Sequence, residues 1–150
     1  MSKNIQILDC TLRDGGLGLE DAEKNDLSHV RFSENDSRMT AGYLADSAID
    51  IIELGSIEIT SDDRTGFCIY KNIEDISKQM PLKKKQNQMF AALYRGPDTP
   101  IDDIPKWNPS LCEAVRVIIR YSELQKSLDF CAALSSKGYK VFVQPMLTCL

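Results

Sequence analysis

The segment from Ile5 to Gly16 holds most of the side chains that could do chemistry. Apolar and polar residues alternate from Ile7 to Arg13, which predicts an extended strand with Asp9 and Arg13 on one face. Asp14 comes next, and the two glycines after it permit a sharp exit from the strand. Two carboxylates and a guanidinium at a strand end can bind a ligand or move protons. The alternative is an internal ion pair between Asp9 and Arg13, followed by an ordinary turn.

A third carboxylate lies inside an apolar run. Residues Ile49 to Gly55 are rich in β-branched side chains and are predicted to form a strand that ends at the glycine. Glu53 lies near the carboxyl end of this strand, between apolar neighbours, and is therefore expected inside the protein. A structural ion pair and a catalytic role are both open for Glu53, and Arg13 is one cation that could pair with it.

Composition limits the class of protein. The chain has 150 residues, of which 43% are hydrophobic and 27% charged, and this suits one globular domain. Its net charge of -4 argues against nucleic acid as a partner. Five cysteines without C-x-x-C spacing predict reduced thiols and a cytoplasmic location. The absence of an apolar run of about 20 residues argues against membrane insertion.

Strand and helix patterns alternate along the chain, which predicts an α/β fold with a parallel sheet of about five strands and intervening helices. Arg116 and Arg120 are placed on one face of the fourth strand, together with Ile118. The polar segment 24–36 is interpreted as a long loop. The predicted later strands are Met89–Tyr94, Val115–Ile119 and Tyr139–Met146, and the predicted longer helices run from Ser37 to about Ala48 and from Ser122 to Lys137. The first of these helices would bury Met39, Tyr43, Leu44 and Ala48, and the second would bury Leu124, Leu128, Cys131 and Leu134.

Four segments carry a family resemblance that spans nearly the whole chain. Residues 9 to 16 read Asp-Cys-Thr-Leu-Arg-Asp-Gly-Gly, and weaker similarities follow in order at 49–55, 115–123 and 138–146. The first segment resembles the strand-one signature of the metal-dependent lyases and aldolases. That family includes hydroxymethylglutaryl-CoA lyase, isopropylmalate synthase and 4-hydroxy-2-oxovalerate aldolase. The resemblance implies that the chain, residues 1–150, is the amino-terminal part of an aldolase-type (β/α)8 TIM barrel.

The resemblance also implies a reaction and a set of roles. The expected reaction is metal-assisted cleavage or formation of a carbon-carbon bond in a 2-oxo acid or an acyl thioester. Asp14 would bind the divalent metal, Mg²⁺ or Mn²⁺, with Zn²⁺ as a third candidate. Arg13 would lie beside the developing enolate oxygen. Glu53 and Asp9 would orient Arg13 or relay protons, and Arg120 is a candidate ligand for the substrate.

Two departures from the family pattern limit this expectation. The family's metal site also uses a His-x-His pair on a late strand, but His29 is the only histidine here and lies in an early polar segment. The proton-transfer histidine that 4-hydroxy-2-oxovalerate aldolases place after the signature is replaced by Leu17. We therefore expect the chain alone to be inactive. Five strands leave a barrel incomplete after the fifth, and the uncovered sheet edges predict a homo-oligomer.

A different class is a complete five-stranded doubly wound sheet that acts as a binding or signalling module without catalysis. A third interpretation is a non-catalytic scaffold descended from the enzymes. Strand order distinguishes the first two folds. Consecutive neighbours, 1-2-3-4-5, indicate part of a barrel, whereas the order 2-1-3-4-5 indicates a doubly wound sheet.

Overall fold

The computed structural model describes residues 5–146 as an α/β fold built on one parallel sheet. Short 3₁₀ turns lie at Thr65–Phe67, Ile101–Asp103 and Tyr121–Glu123. The strands are β1 (Leu8–Asp9), β2 (Ile51–Ile57), β3 (Ile69–Tyr70), β4 (Met89–Tyr94), β5 (Ala114–Ile119) and β6 (Lys140–Pro145). The helices are α1 (Thr11–Lys24), α2 (Glu34–Asp46), α3 (Ile73–Ser77) and α4 (Leu124–Ser136).

The main path of the sheet runs in chain order, β1-β2-β4-β5-β6, and every pairing is parallel. The sheet curls as half of a barrel would, with helices between strands. The predicted α/β class and parallel sheet are confirmed. The consecutive order contradicts the doubly wound alternative, in which the first strand would lie inside the sheet. Within residues 5–146, no helix combines the length and apolar character needed to cross a bilayer.

The two faces of the sheet differ in what covers them. One face packs against the helices in the main core, which includes Ile52 and Val115 from strands and Leu12 from α1. The opposite face, which we term the open face, carries a smaller cluster drawn only from strands: Ile51, Met89, Ala91 and Ala114. The open face corresponds to the inside of the curl.

The first predicted strand is largely wrong. Only Leu8 and Asp9 pair with β2, and the chain enters α1 at Thr11, so Arg13 and Asp14 lie in the first helical turn. Asp9 and Arg13 therefore do not share a strand face. The glycines after Asp14 continue the helix and do not end a strand. Helix α1 buries one face, formed by Leu12, Gly16 and Glu20 at intervals of four residues.

Strand β2 contains an irregularity directly after Glu53. Its pairing with β4 shifts between Glu53 and Ser56, so the strand bulges at Gly55, which has a φ of 154°. The sequence predicted that this strand ends at Gly55, but it continues to Ile57. Strand β3, which the sequence analysis missed, pairs with the carboxyl half of β2, while β1 pairs with the amino half. Bulges of this kind bend a strand and re-aim its side chains.

Two helices present faces to the core that match the predicted ones only in part, since Leu134 is buried and Leu44 and Cys131 pack against the core. In α2 the buried residues are Ser37, Ala41 and Ala45, while Met39 and Tyr43 are exposed. In α4 the buried residues are Ser127, Phe130 and Leu134, while Leu124 and Leu128 are exposed. The small residues of α2 let the helix lie close to the sheet. The larger apolar residues therefore point away from it.

Helix α2 begins earlier than predicted because of a capping box. The Ser33 side chain accepts a hydrogen bond from the Asp36 backbone N–H, and the Asp36 carboxylate accepts from the Ser33 N–H at 2.9 Å. These two bonds satisfy donors that a helix start otherwise leaves unpaired. The helix therefore starts at Glu34, and the predicted long loop shrinks to residues 25–33.

Replacing Ser33 with alanine is expected to lower the free energy of unfolding by about 1 kcal/mol, since the cap to Asp36 is lost. Urea denaturation followed by circular dichroism measures the change. Ser135→Ala, at an exposed position in α4, is the matched control and should change stability by less than about 0.5 kcal/mol. Equal effects of the two substitutions would contradict the capping role.

Candidate functional site

A buried carboxylate joins two arginines on the open face. The Glu53 side chain is fully buried, and Arg116 donates to both of its oxygens, from Nε to Oε2 at 2.7 Å and from Nη2 to Oε1 at 2.6 Å. Arg13 donates from Nε to the same Oε1 atom. The arginine side chains are only 12% and 15% exposed, for Arg13 and Arg116 respectively. We call these three residues the arginine–glutamate cluster.

Three elements position the arginine–glutamate cluster. Glu53 lies two residues after Ile51 on β2, and its strand partner on β4 is Ala91. Ile51 and Ala91 both belong to the open-face apolar cluster, so Glu53 lies on the open face. Arg116 lies two residues after Ala114 on β5 and therefore projects from the same face. Arg13 reaches the cluster from the first turn of α1, which follows directly on β1.

Asp14 extends the cluster toward solvent. One carboxylate oxygen lies 2.7 Å from Arg13 Nη1, and the other accepts a hydrogen bond from the Cys10 thiol at 3.0 Å. The side chain is 58% exposed, so it can reach a ligand that approaches from solvent. It lies in the first turn of α1, where the helix dipole favours negative charge. The hydrogen bond to Asp14 raises the pKa of the Cys10 thiol above its ordinary value.

Asp9 contacts Thr11, not Arg13 as the ion-pair alternative expected. Its carboxylate accepts hydrogen bonds from the backbone N–H of Thr11 at 2.9 Å and from the Thr11 hydroxyl at 3.0 Å. These bonds organise the junction between β1 and α1. Asp9 therefore contacts Thr11, whereas Glu53 and Asp14 contact Arg13 directly.

Arg13 remains charged in this environment. Burial alone would lower the pKa of the guanidinium, but the carboxylates of Glu53 and Asp14 outweigh burial. The pKa of Arg13 therefore lies above its ordinary value. A guanidinium that is always charged and held by two acids is a preorganised donor for an oxyanion.

Arg120 lies apart from the cluster, at the carboxyl ends of the strands. It borders a cleft with a volume of about 410 Å³, together with Arg95, Asp98 and Ile118. Arg120 pairs with Glu123 at 3.1 Å, and its side chain is 47% exposed. Arg116 and Ile118 lie on one face of β5, and Arg120 follows directly after the strand. Because Ile118 lines the cleft, the cleft continues the same face as the cluster.

A second ion-pair network lies beyond the end of β2. Glu58 is bracketed by Arg64 and Arg95, and Arg64 also pairs with Glu20 at 2.5 Å. Burial would raise the pKa of Glu20, but Lys24 and Arg64 outweigh it and lower the pKa. This network ties α1 to the loop after β2 and thereby holds the helix that carries Arg13.

The described residues do not fit a complete metal site. Across residues 5–146, no group of three or more histidine, cysteine or acidic side chains is arranged to hold a metal ion. His29 is exposed in the segment after α1. Asp14 could supply one oxygen ligand, but one carboxylate does not complete the six oxygen ligands that Mg²⁺ prefers.

Sequence analysis foresaw part of the arginine–glutamate cluster. It named Arg13 and Glu53 and expected a cation near the buried glutamate, and the structure brings these two together. It did not assign a role to Arg116. The available signal was a charged residue between Val115 and Val117 in an apolar strand, on the face that faces inward with Glu53.

No protein-family model matches the chain, and a search of curated proteins finds no significant match.

Proposed function

We propose that the chain forms the part of an aldolase or lyase barrel that contains β1, β2, β4, β5 and β6 as consecutive strands, in an enzyme that makes or breaks a carbon-carbon bond next to a carbonyl. The substrate class is a 2-oxo acid or an acyl thioester. The observation that carries the proposal is the contact of Arg13 with both Glu53 and Asp14 at the carboxyl end of β1. Ligand sites of parallel α/β folds lie at this end of the strands.

Arg13 supplies the electrostatic part of the proposed reaction. Cleavage next to a carbonyl places negative charge on the carbonyl oxygen as an enolate forms, and a fixed guanidinium stabilises that charge. Glu53 uses both of its oxygens on arginines, so its role in this scheme is to position Arg13. Since Glu53 is fully buried, the ion pair is shielded from water and holds the guanidinium in one place.

Asp14 is proposed as one ligand of a divalent metal, Mg²⁺ or Mn²⁺. Both of its oxygens already contact neighbours, Arg13 and Cys10, but a carboxylate has further lone pairs. A bound divalent cation would polarise the substrate carbonyl. The remaining ligands would have to come from the substrate, from water or from protein groups outside the described residues, and binding by residues 5–146 alone is expected to be weak.

Titration with Mn²⁺ tests this proposal, with NMR line broadening as the measurement. We expect broadening centred on residues 10–14 in the wild type and at least tenfold weaker binding in Asp14→Ala. Pyruvate should strengthen Mn²⁺ binding, because a 2-oxo acid can contact the metal and Arg13 together. That strengthening should disappear in Arg13→Gln.

Asp21→Asn is the matched control, because Asp21 is an exposed acid on the same helix. It should bind Mn²⁺ as the wild type does. Equal Mn²⁺ affinity in wild type and Asp14→Ala would overturn the ligand assignment. A pyruvate effect that survives in Arg13→Gln would overturn the role of the arginine.

A further inference from the structure

The arginine–glutamate cluster has an excess of positive charge in its buried part. Two guanidiniums, at 12% and 15% exposure, share one fully buried carboxylate. Asp14 lies beside the cluster, but its side chain is 58% exposed, and Arg13 is the cluster member that it contacts. Buried charge that is not paired is costly, so the second guanidinium creates a demand for an anion.

The two guanidiniums are held close together. Arg13 Nε and Arg116 Nη2 both donate to Glu53 Oε1. Two nitrogens that bond to one oxygen at ordinary hydrogen-bond lengths lie no more than about 6 Å apart. Glu53 therefore opposes the repulsion between two cations that would otherwise separate.

Both arginines keep donors that the cluster does not use. A guanidinium has five N–H groups, and within residues 5–146 Arg116 directs only Nε and Nη2 to Glu53. Arg13 directs Nε to Glu53 and Nη1 to Asp14. Both guanidiniums meet Glu53 on the open face, where the apolar cluster is drawn only from strands.

We propose that Arg116 is a second anion-binding residue and that, together with Arg13, it binds the carboxylate group of a small ligand. A planar carboxylate matches the planar fork of a guanidinium and can bridge two of them. The inference rests on the proposed function in one respect, since it assigns the carboxylate of a 2-oxo acid to this pair. Carboxylate binding itself requires neither metal nor turnover.

Oxalate is the probe, and the titration is run with a chelator so that no divalent metal contributes. In the wild type, oxalate should shift the NMR signals of the Arg13 and Arg116 Nε–H groups. Arg116→Gln should weaken oxalate binding at least tenfold, and Arg116→Lys, which keeps the charge but loses the planar fork, should fall between. Arg38→Gln is the control, since it removes an exposed arginine that pairs with Glu34 on α2.

Circular dichroism establishes that each variant is folded, and the wild-type arginine signals report on binding even if Arg116→Gln does not fold. The inference is overturned if oxalate leaves the Arg116 Nε–H signal unmoved, if Arg116→Gln and Arg38→Gln bind oxalate equally, or if sulfate binds as tightly as oxalate.

The oxalate and Mn²⁺ experiments can fail separately. Oxalate binding that depends on Arg116, without any Mn²⁺ binding at Asp14, would support the anion site and contradict the metal-assisted function. Mn²⁺ binding at Asp14 together with oxalate binding that ignores Arg116 would support the proposed function and overturn this inference.

Discussion

Replacing Glu53 with alanine is expected to lower the free energy of unfolding by about 3–5 kcal/mol, because removal of one partner leaves buried charge without compensation. Here two guanidiniums lose their common carboxylate, and both are largely shielded from water. Denaturation in urea, followed by fluorescence of Trp107 and by circular dichroism, measures the loss. A change of this size is a large fraction of the about 5–15 kcal/mol that stabilises an ordinary domain.

Glu123→Ala is the matched control for this substitution. Glu123 also pairs with an arginine, Arg120, but their side chains are 31% and 47% exposed, so the loss should be at most about 1 kcal/mol. A loss below about 1 kcal/mol in Glu53→Ala would show that the arginines find water or other partners, and the cluster would then not be a rigid unit.

Replacing Gly16 with alanine is expected to destabilise the protein by about 3 kcal/mol or more. A Cβ atom at this position would lie 1.9 Å from the Phe67 carbonyl oxygen, and backbone cannot move aside as a side-chain end can. Helix α1 would have to shift away from the Thr65–Phe67 turn. Thermal unfolding and the NMR signal of the Arg13 Nε–H group would report the loss of stability and the shift of the helix.

Gly18→Ala provides the contrast within the same helix. A Cβ atom there meets nothing within 4 Å, and alanine favours helix by up to about 1 kcal/mol over glycine. The two substitutions should therefore change stability in opposite directions. If Gly16→Ala proves neutral, the close contact between α1 and Phe67 is absent in solution.

The strands were easier to predict than the helices. The runs in β2, β4, β5 and β6 are β-branched or apolar and bounded by turn residues, so their positions were found within a few residues. Strand β3 has only two residues and gives no such pattern. The helix starts were harder to predict, because they depend on specific hydrogen bonds between side chains and backbone N–H groups. The Ser33–Asp36 box sets the start of α2 at Glu34, before the start at Ser37 that the sequence predicted.

The first segment was misassigned because it carries two periods at once. Leu8, Cys10 and Leu12 alternate as in a strand, but Leu12, Gly16 and Glu20 recur every four residues as in a helix. Tertiary pairing decides between the two periods. The edge of β2 is shared by β1 and β3, so only Leu8 and Asp9 pair there before α1 begins.

The candidate site was predictable in its charges but not in its geometry. A buried glutamate among apolar residues needs a cation, and Arg13, which the sequence offered as one candidate, is one of the two arginines that pair with Glu53. The contribution of Arg116 depends on strand order, because β5 must lie close enough to β2 for the side chains to meet across β4. A single sequence does not provide that order.

The placement of Arg13 one turn into α1, and not on a strand, makes its guanidinium sensitive to the tilt of a whole helix. Gly16 and the Glu20–Arg64 ion pair fix that tilt through contacts about one and two turns along α1 from Arg13. Substitutions that never touch Glu53 could therefore disconnect the two. The packing of α1 against the Thr65–Phe67 turn therefore controls, from a distance, where the Arg13 guanidinium lies.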